Sequence, residues 1–112
     1  MSGQALVGID LGGTNVRVGA VSVQGEILAW VESLIEAKQG PQAGLARIRS
    51  LIEQVLGETR GLPLRAIGIG ATGPVDRQRG SIQNPFTLPT WEDVPIVPKL
   101  YEWFGVPVAL EN

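Results

Sequence analysis

The chain has 112 residues, with 9 basic and 11 acidic side chains, a formal net charge of −2 and 44% hydrophobic residues. It is therefore long enough for one domain with a modest core and too apolar for a disordered segment. The absence of cysteine and histidine excludes disulfides, the commonest zinc sites and a histidine-dependent catalytic triad. The sequence has no basic run and no apolar stretch of membrane-spanning length, so we expect a cytoplasmic protein without nucleic-acid or membrane partners.

Three strands are predicted before residue 36. Residues 5–10 form a short apolar run and residues 16–23 alternate in polarity. Residues 27–35 alternate again, and one parity carries Ile27, Ala29, Val31 and Ile35. The glycine within residues 24–26 tolerates the positive φ of a tight hairpin turn. We therefore predict an antiparallel meander.

Beyond the meander, two helices and two strands alternate. Pro41 suits the start of a helix, whose apolar stripe is Leu45, Ile48, Ile52 and Val55. Residues 65–70 predict a fourth strand, and residues 72–91, rich in Pro, Gly, Asn and Thr, predict an ordered loop. A second helix is predicted with Asp93 as N-cap and Gly105 as its stop, and its stripe is Val97, Leu100, Tyr101 and Phe104. Residues 106–110 predict the last strand.

The order β-β-β-α-β-α-β predicts an α/β fold in a single domain over residues 1–112. We expect a five-stranded mixed sheet with helices packed on it. This is the order of the ribonuclease-H-like half-domain, which nucleases share with the actin-like ATPases and sugar kinases. The fold by itself therefore does not select a function.

Residues 68–73 fit the dinucleotide-binding fingerprint letter for letter, but their context is wrong for it. The third glycine of that fingerprint opens a helix whose N-terminus holds pyrophosphate, whereas residues 74–80 show no helical period. Two interpretations stay open. The strand end turns sharply and exposes backbone amides and the Thr72 hydroxyl to a ligand, or it is a turn without one.

The turn at Gly12 and Gly13 is a stronger candidate for a ligand site. It is not a P-loop, since no lysine follows and the next element is a strand. Glycine amides between two strands can form an anion nest for phosphate, to which Thr14 adds a hydroxyl and Arg17 a positive charge. Asp10 suits such a site only through Mg²⁺ or a metal-bound water. A plain glycine hairpin is the alternative, but these groups within one short stretch favour phosphate.

Four motifs resemble those of the ROK family, which includes bacterial sugar kinases, glucokinases and sugar-responsive repressors. They are the first phosphate motif at residues 10–17, the second glycine loop at 68–76, the Leu-Pro-x-Trp segment at 88–95 and the strand entering the Glu-Asn-Asp motif at 106–112. The motifs occur in the order of the family and span nearly the whole chain. The resemblance implies ATP-dependent phosphorylation of a hexose hydroxyl in a cleft between two actin-like lobes.

The resemblance also implies which residues form the site. Those implied to bind the ATP phosphates are Asp10, Gly12, Gly13, Thr14, Asn15 and Arg17, with Asp10 near Mg²⁺ through a metal-bound water. Those implied to bind the sugar are Thr72, Gly73, Thr87 and Asn112. Thr87 stands where glucose-using relatives often carry asparagine, so the sugar is not assigned.

The family's general base is the aspartate that follows the motif asparagine, and this sequence ends at Asn112. A base is needed because a sugar hydroxyl is a poor nucleophile until its proton has an acceptor. We therefore expect an N-terminal lobe that lacks a catalytic residue and is inactive alone, from a homo-oligomeric parent with a second lobe. Without that lobe, some self-association is expected, and the aromatic residues that are candidates for exposure are Trp30, Trp91, Trp103 and Phe104.

Two other functions stay open at this point. A ribonuclease-H-type nuclease would use Asp10 with further carboxylates around two metals, but Glu53, Glu58 and Asp76 show no supporting pattern. A sugar-sensing, non-catalytic ROK repressor would carry a helix-turn-helix ahead of the first phosphate motif, and residues 1–8 are too few for one.

Overall fold

The computed structural model describes residues 3–112, and Met1 and Ser2 lie outside the described residues. A five-stranded mixed sheet has the order β3-β2-β1-β4-β7, in which β1 pairs antiparallel with β2 and parallel with β4. This sheet and its element order confirm the predicted fold. In chain order the elements are β1 (Ala5–Leu11), β2 (Asn15–Ser22), β3 (Ile27–Leu34), a 3-10 helix (Ala37–Gln39), α1 (Pro41–Leu56), β4 (Leu64–Ala71), β5 (Val75–Asp76), β6 (Ser81–Ile82), α2 (Ile96–Phe104) and β7 (Val108–Glu111).

Both helices lie on the same face of the sheet. α1 packs on β2 and β3, and α2 packs on β7. The helices also meet each other, since the guanidinium of Arg49 lies 4.9 Å from the ring centroid of Trp103. The predicted stripe of α1 is buried, and on β1 the buried side chains alternate with the exposed Gly8 and Asp10. One face of the sheet therefore forms the core, and the other face is open.

A row of small residues, the glycine row, crosses this open face. Gly19, Gly8, Gly68 and Ala109 are successive partners in the register of β2, β1, β4 and β7. Trp30 of β3 pairs with Gly19 at the end of the row and is 63% exposed. A Cβ on Gly8 or Gly68 would meet no atom within 4 Å.

Two predictions for the second helix are wrong. Asp93 does not cap α2, because the helix begins at Ile96 after Pro95 and Asp93 instead forms an ion pair with Arg79. Tyr101 is exposed, because the fully buried positions of α2 are Ile96 and Leu100. The helix therefore begins later than a cap at Asp93 would place it.

Further differences arise in β3 and in the loop after β4. Ile27 is exposed despite its parity, because the β2–β3 register shifts by one residue between Ala20 and Val21 and turns Ile27 to the open face. Trp91 is fully buried, with its ring over Gly44 of α1. Trp30 is exposed as expected, while the helix residues Trp103 and Phe104 are half-buried. The stretch predicted as loop contains the short hairpin of β5 and β6. Neither α-helix within residues 3–112 combines the length and apolarity needed to cross a membrane.

Candidate phosphate and sugar site

The turn between β1 and β2 presents two free backbone amides. The Gly12 amide donates to the Asn15 carbonyl at 2.9 Å, and the Thr14 carbonyl accepts from the Ile35 amide at 2.9 Å. Within residues 3–112, the amides of Gly13 and Thr14 donate to no carbonyl. Adjacent free amides are what an anion nest requires. Gly12 therefore shapes the turn, and Gly13 and Thr14 supply the available donors.

The six residues predicted for phosphate binding line one cavity of about 350 Å³, together with Glu32. Asp10 and Arg17 are partners in the β1–β2 register, and Arg17 Nε lies 3.5 Å from Glu32 Oε2 on β3. The side chain of Arg17 is 62% exposed, so this ion pair is solvent-screened and contributes little to stability. Its guanidinium stays accessible from solvent.

The donors around this cavity fit a nucleotide phosphate with its magnesium ion. Residues 3–112 contain no group of three or more His, Cys, Asp or Glu side chains arranged for a metal ion, so a dedicated protein cage is not present there. Mg²⁺ needs only one or two carboxylates when substrate phosphates complete its coordination. Asp10 lines the cavity beside the free amides and supplies one such carboxylate.

The second glycine loop lies next to the end of β1, since the Thr72 amide donates to the Leu11 carbonyl at 3.0 Å. Gly73 has φ 78, a left-handed conformation that favours glycine. Its carbonyl accepts from Asn112 Nδ2 at 3.3 Å. The structure thus brings Thr72, Gly73 and Asn112 together at one edge of the sheet.

Thr87 lies against the β1–β2 turn of residues 12–14, which we term the phosphate turn. A Cβ on Gly13 would lie 2.6 Å from Thr87 Cγ2 and 3.1 Å from its carbonyl oxygen. A residue with a Cβ at position 13 would therefore displace Thr87. The two groups of predicted site residues meet at this contact, which also borders a cavity of about 580 Å³ walled by the 3-10 helix and Pro89.

Residues 6–112 match the family model described as ROK family. The chain belongs to the ROK family. It is 36% identical over 107 residues to a glucokinase from Thermotoga maritima, an alignment that covers 96% of this chain and 33% of that protein.

Solved structures agree with this ROK assignment. The ROK hexokinase from Thermus thermophilus superposes with a TM-score of 0.84 at 34% identity, covering 97% of this chain and 35% of that one. A ROK family glucokinase from Streptomyces griseus, solved in complex with glucose and AMPPNP, gives 0.78 at 29% identity, covering 96% and 33%. This ROK chain spans about one third of the length of these relatives.

Sequence reasoning missed Asn84. This side chain is fully buried; its Nδ2 donates to the Thr72 carbonyl, and its Oδ1 accepts from the Thr87 backbone amide. The one available sequence signal was the spacing, because an asparagine side chain often accepts from a backbone amide a few residues further on. Its bond to Thr72 depends on tertiary packing and leaves no local trace.

The loop that carries Thr87 is further tied to the 3-10 helix by a strained residue. Thr90 has φ 79, which is a costly conformation for a β-branched side chain. Its hydroxyl donates to the Ala37 carbonyl at 2.7 Å. Glu36, which precedes the 3-10 helix, is also left-handed, with φ 51. Strain of this kind is characteristic of functional sites, and here it lies at the border of the larger cavity.

Proposed function

We propose that the protein to which this ROK lobe belongs transfers a phosphoryl group from ATP to a hexose hydroxyl. In this proposal the lobe supplies the phosphate turn and part of the sugar site. The observation that carries it is the pair of free amides at Gly13 and Thr14, placed directly against Thr87. Family membership and the ROK glucokinases and hexokinase of similar sequence and fold support the proposal.

The phosphate turn is held ready for its ligand. The Gly12–Asn15 and Thr14–Ile35 bonds fix the main chain on both sides of the free amides, so binding requires little rearrangement. ATP with Mg²⁺ would supply the transferable phosphoryl group. The two amides and the Thr14 hydroxyl would donate to its oxygens, and Asp10 would accept from a metal-bound water.

On the sugar side, Asn112 keeps a free acceptor. Its Nδ2 donates to the Gly73 carbonyl, which leaves Oδ1 to accept from a sugar hydroxyl. Thr87 would offer a hydroxyl where glucose-using relatives often have an amide, so we propose a hexose without naming it. Glu111, the carboxylate beside Asn112, is held by Arg77 at 3.1 Å. We propose that Glu111 is not the base and that this chain alone does not turn over sugar.

The two alternatives have less support. A nuclease with two metal ions needs several convergent carboxylates, and the described residues 3–112 hold no such group. A sugar sensor would use the same sugar residues but would not need preorganised donors for phosphate. The free amides of the phosphate turn therefore favour the kinase.

A test of the phosphate turn uses Thr14→Val and Thr14→Ser. T14V keeps the shape of the side chain and removes the hydroxyl, while T14S keeps the hydroxyl. A hydrogen bond to a charged group contributes about 1.5–3 kcal/mol, so T14V is expected to weaken MgATP binding roughly 10–100-fold. T14S should bind like the wild type. Binding is followed by the backbone amide NMR signals of Gly13 and Thr14, and equal affinity for both variants would contradict the proposal.

A second test addresses Asp10 and magnesium. Asp10→Asn keeps the size of the side chain and removes its charge. We expect D10N to weaken binding of MgATP and to leave metal-free ATP bound as well as, or better than, in the wild type, because the carboxylate repels bare phosphate. Titrations with and without Mg²⁺ measure this difference. A loss that is the same in both titrations would count against a metal-bridging role.

A further inference from the structure

Asn84 holds two parts of the site in place at once. Its Nδ2 donates to the Thr72 carbonyl at 3.0 Å, and its Oδ1 accepts from the Thr87 amide at 3.1 Å. We propose that Asn84 is a positioning residue that fixes the Gly73 turn and Thr87 relative to each other. The proposal rests on the proposed function to the extent that these two elements bind sugar.

The local packing leaves Asn84 a single orientation. Its backbone amide donates to the Trp91 carbonyl at 2.9 Å, and its carbonyl accepts from the Leu88 amide at 3.0 Å. Its side chain lies over the α-carbon of Gly73, where an added Cβ would overlap Nδ2. Because the side chain is fully buried, water cannot replace either partner without opening the loop. The loop from residue 84 to 91 and the Gly73 turn therefore form one unit.

Both roles need an amide. An ionised carboxylate accepts hydrogen bonds and donates none, and an aliphatic side chain of similar shape does neither. Asp at this position would keep the bond from the Thr87 amide and would face the Thr72 carbonyl with a second acceptor. Asn84→Asp therefore separates the two bonds while it preserves the shape of the side chain.

The unit that Asn84 holds reaches the phosphate turn. Thr87 packs against Gly13, so a continuous series of contacts runs from Thr72 through Asn84 and Thr87 to the anion nest. Phosphoryl transfer requires the attacking hydroxyl to be aligned with the phosphate, and a displacement of about 1 Å costs on the order of 10²-fold in rate. Asn84 thus sets the spacing between the sugar side and the phosphate side without touching either ligand.

The experiment compares Asn84→Asp and Asn84→Ala with Thr59→Val. Thr59 is 1% exposed and donates to the Leu56 carbonyl at 3.0 Å, so T59V also loses a buried hydrogen bond, at the C-terminal end of α1. Glucose, mannose, galactose and fructose are titrated into the wild type, and the hexose that binds is then titrated into each variant. The amide NMR signals of Gly73 and Thr87 are followed under native conditions in which urea unfolding curves show the protein to be fully folded.

We expect N84D to weaken binding of that hexose at least tenfold and T59V to change it less than twofold. The Thr87 amide should exchange with solvent faster in N84A and should stay protected in N84D, which keeps the acceptor. If N84A does not fold, N84D alone decides. If Asn84 only stabilised the fold and did not position the site, sugar binding would be weakened equally in N84D and T59V.

The outcomes separate this inference from the proposed function. Wild type that responds neither to glucose nor to mannose, galactose or fructose would overturn the sugar-binding function and the role of Asn84 together. Wild type that responds, with N84D binding equally well, would overturn only the role of Asn84. Equal weakening by N84D and T59V would also overturn it, because the effect would then follow from general destabilisation.

Discussion

Gly73→Ala tests the packing at the centre of the site. The left-handed backbone at φ 78 costs a residue with a Cβ about 1–2 kcal/mol. The new Cβ would also overlap the Asn84 side-chain amide, and overpacking of this kind costs about 1–3 kcal/mol. We therefore expect G73A to lower the free energy of unfolding by about 2–5 kcal/mol.

Gly105→Ala is the matched control. Gly105 has φ 67, and its Cβ would meet no atom within 4 Å, so only the backbone cost of about 1–2 kcal/mol applies. The entropy that alanine removes from the unfolded chain is common to both variants and cancels in the comparison. Urea unfolding, followed by the fluorescence of the buried Trp91, measures both. Equal losses in G73A and G105A would refute the reasoning.

A double-mutant cycle locates the clash. Removing the Asn84 side chain in G73A/N84A eliminates the atoms that the new Cβ would overlap. Contacting residues show interaction energies of about 0.5–3 kcal/mol in such cycles, so the double variant should be more stable than the sum of the two single losses predicts. Strict additivity would show that Asn84 does not fill the space beside Gly73.

Three other positions in the chain lead to further predictions. Gly68→Val on the open face is expected to raise the free energy of unfolding by about 0.5–1 kcal/mol, because glycine is a poor strand residue and its Cβ would meet nothing within 4 Å; a loss in urea unfolding would contradict this. Gly13→Ala is expected to displace Thr87 and weaken MgATP binding about tenfold, and G13A/T87S, which lacks the clashing Cγ2, should recover most of that affinity in NMR titrations; a double variant no tighter than G13A would argue against the contact. The hydrogen bond from Arg79 lowers the pKa of Asp93 below its ordinary 3.8. The stability that this bond gives the folded state is therefore fully present above pH 3.8, and it is lost as the pH falls through the lower pKa of Asp93 in the folded state. Arg79→Gln should return the pKa of Asp93 to its ordinary range in a carboxyl NMR titration, and an unchanged pKa would disprove the role of Arg79.

The parts of the fold that could be predicted were those with sustained periodicity. α1 has 16 residues and the strands of the meander have seven or eight, so the alternation of buried and exposed positions repeats several times in the sequence of each element. β5 and β6 have two residues each, which is too short for a period. Ile27 was misplaced because the shift in the β2–β3 register reverses the face of every residue before it.

The candidate site also has a part that the local sequence predicts and a part that it does not. The residues of the phosphate turn are adjacent in sequence, so their shared chemistry is visible in the sequence alone. Asn84 and the contact of Thr87 with Gly13 depend on how distant segments meet. Asp93 was predicted as a helix cap because aspartate is a common N-cap residue. Its carboxylate instead accepts a hydrogen bond from Arg79, which is 14 residues away in the sequence.

The glycine row has a consequence for the stability of this chain. Each glycine within a strand forgoes about 0.5–1 kcal/mol relative to alanine, and neither Gly8 nor Gly68 is required by any neighbour within the chain. Because the glycine row has no side chains on β2, β1 and β4, the main chain of this sheet is open to a closer approach than side chains would permit. The chain is thus less stable than its topology allows, and the stability it lacks lies in the middle of its sheet.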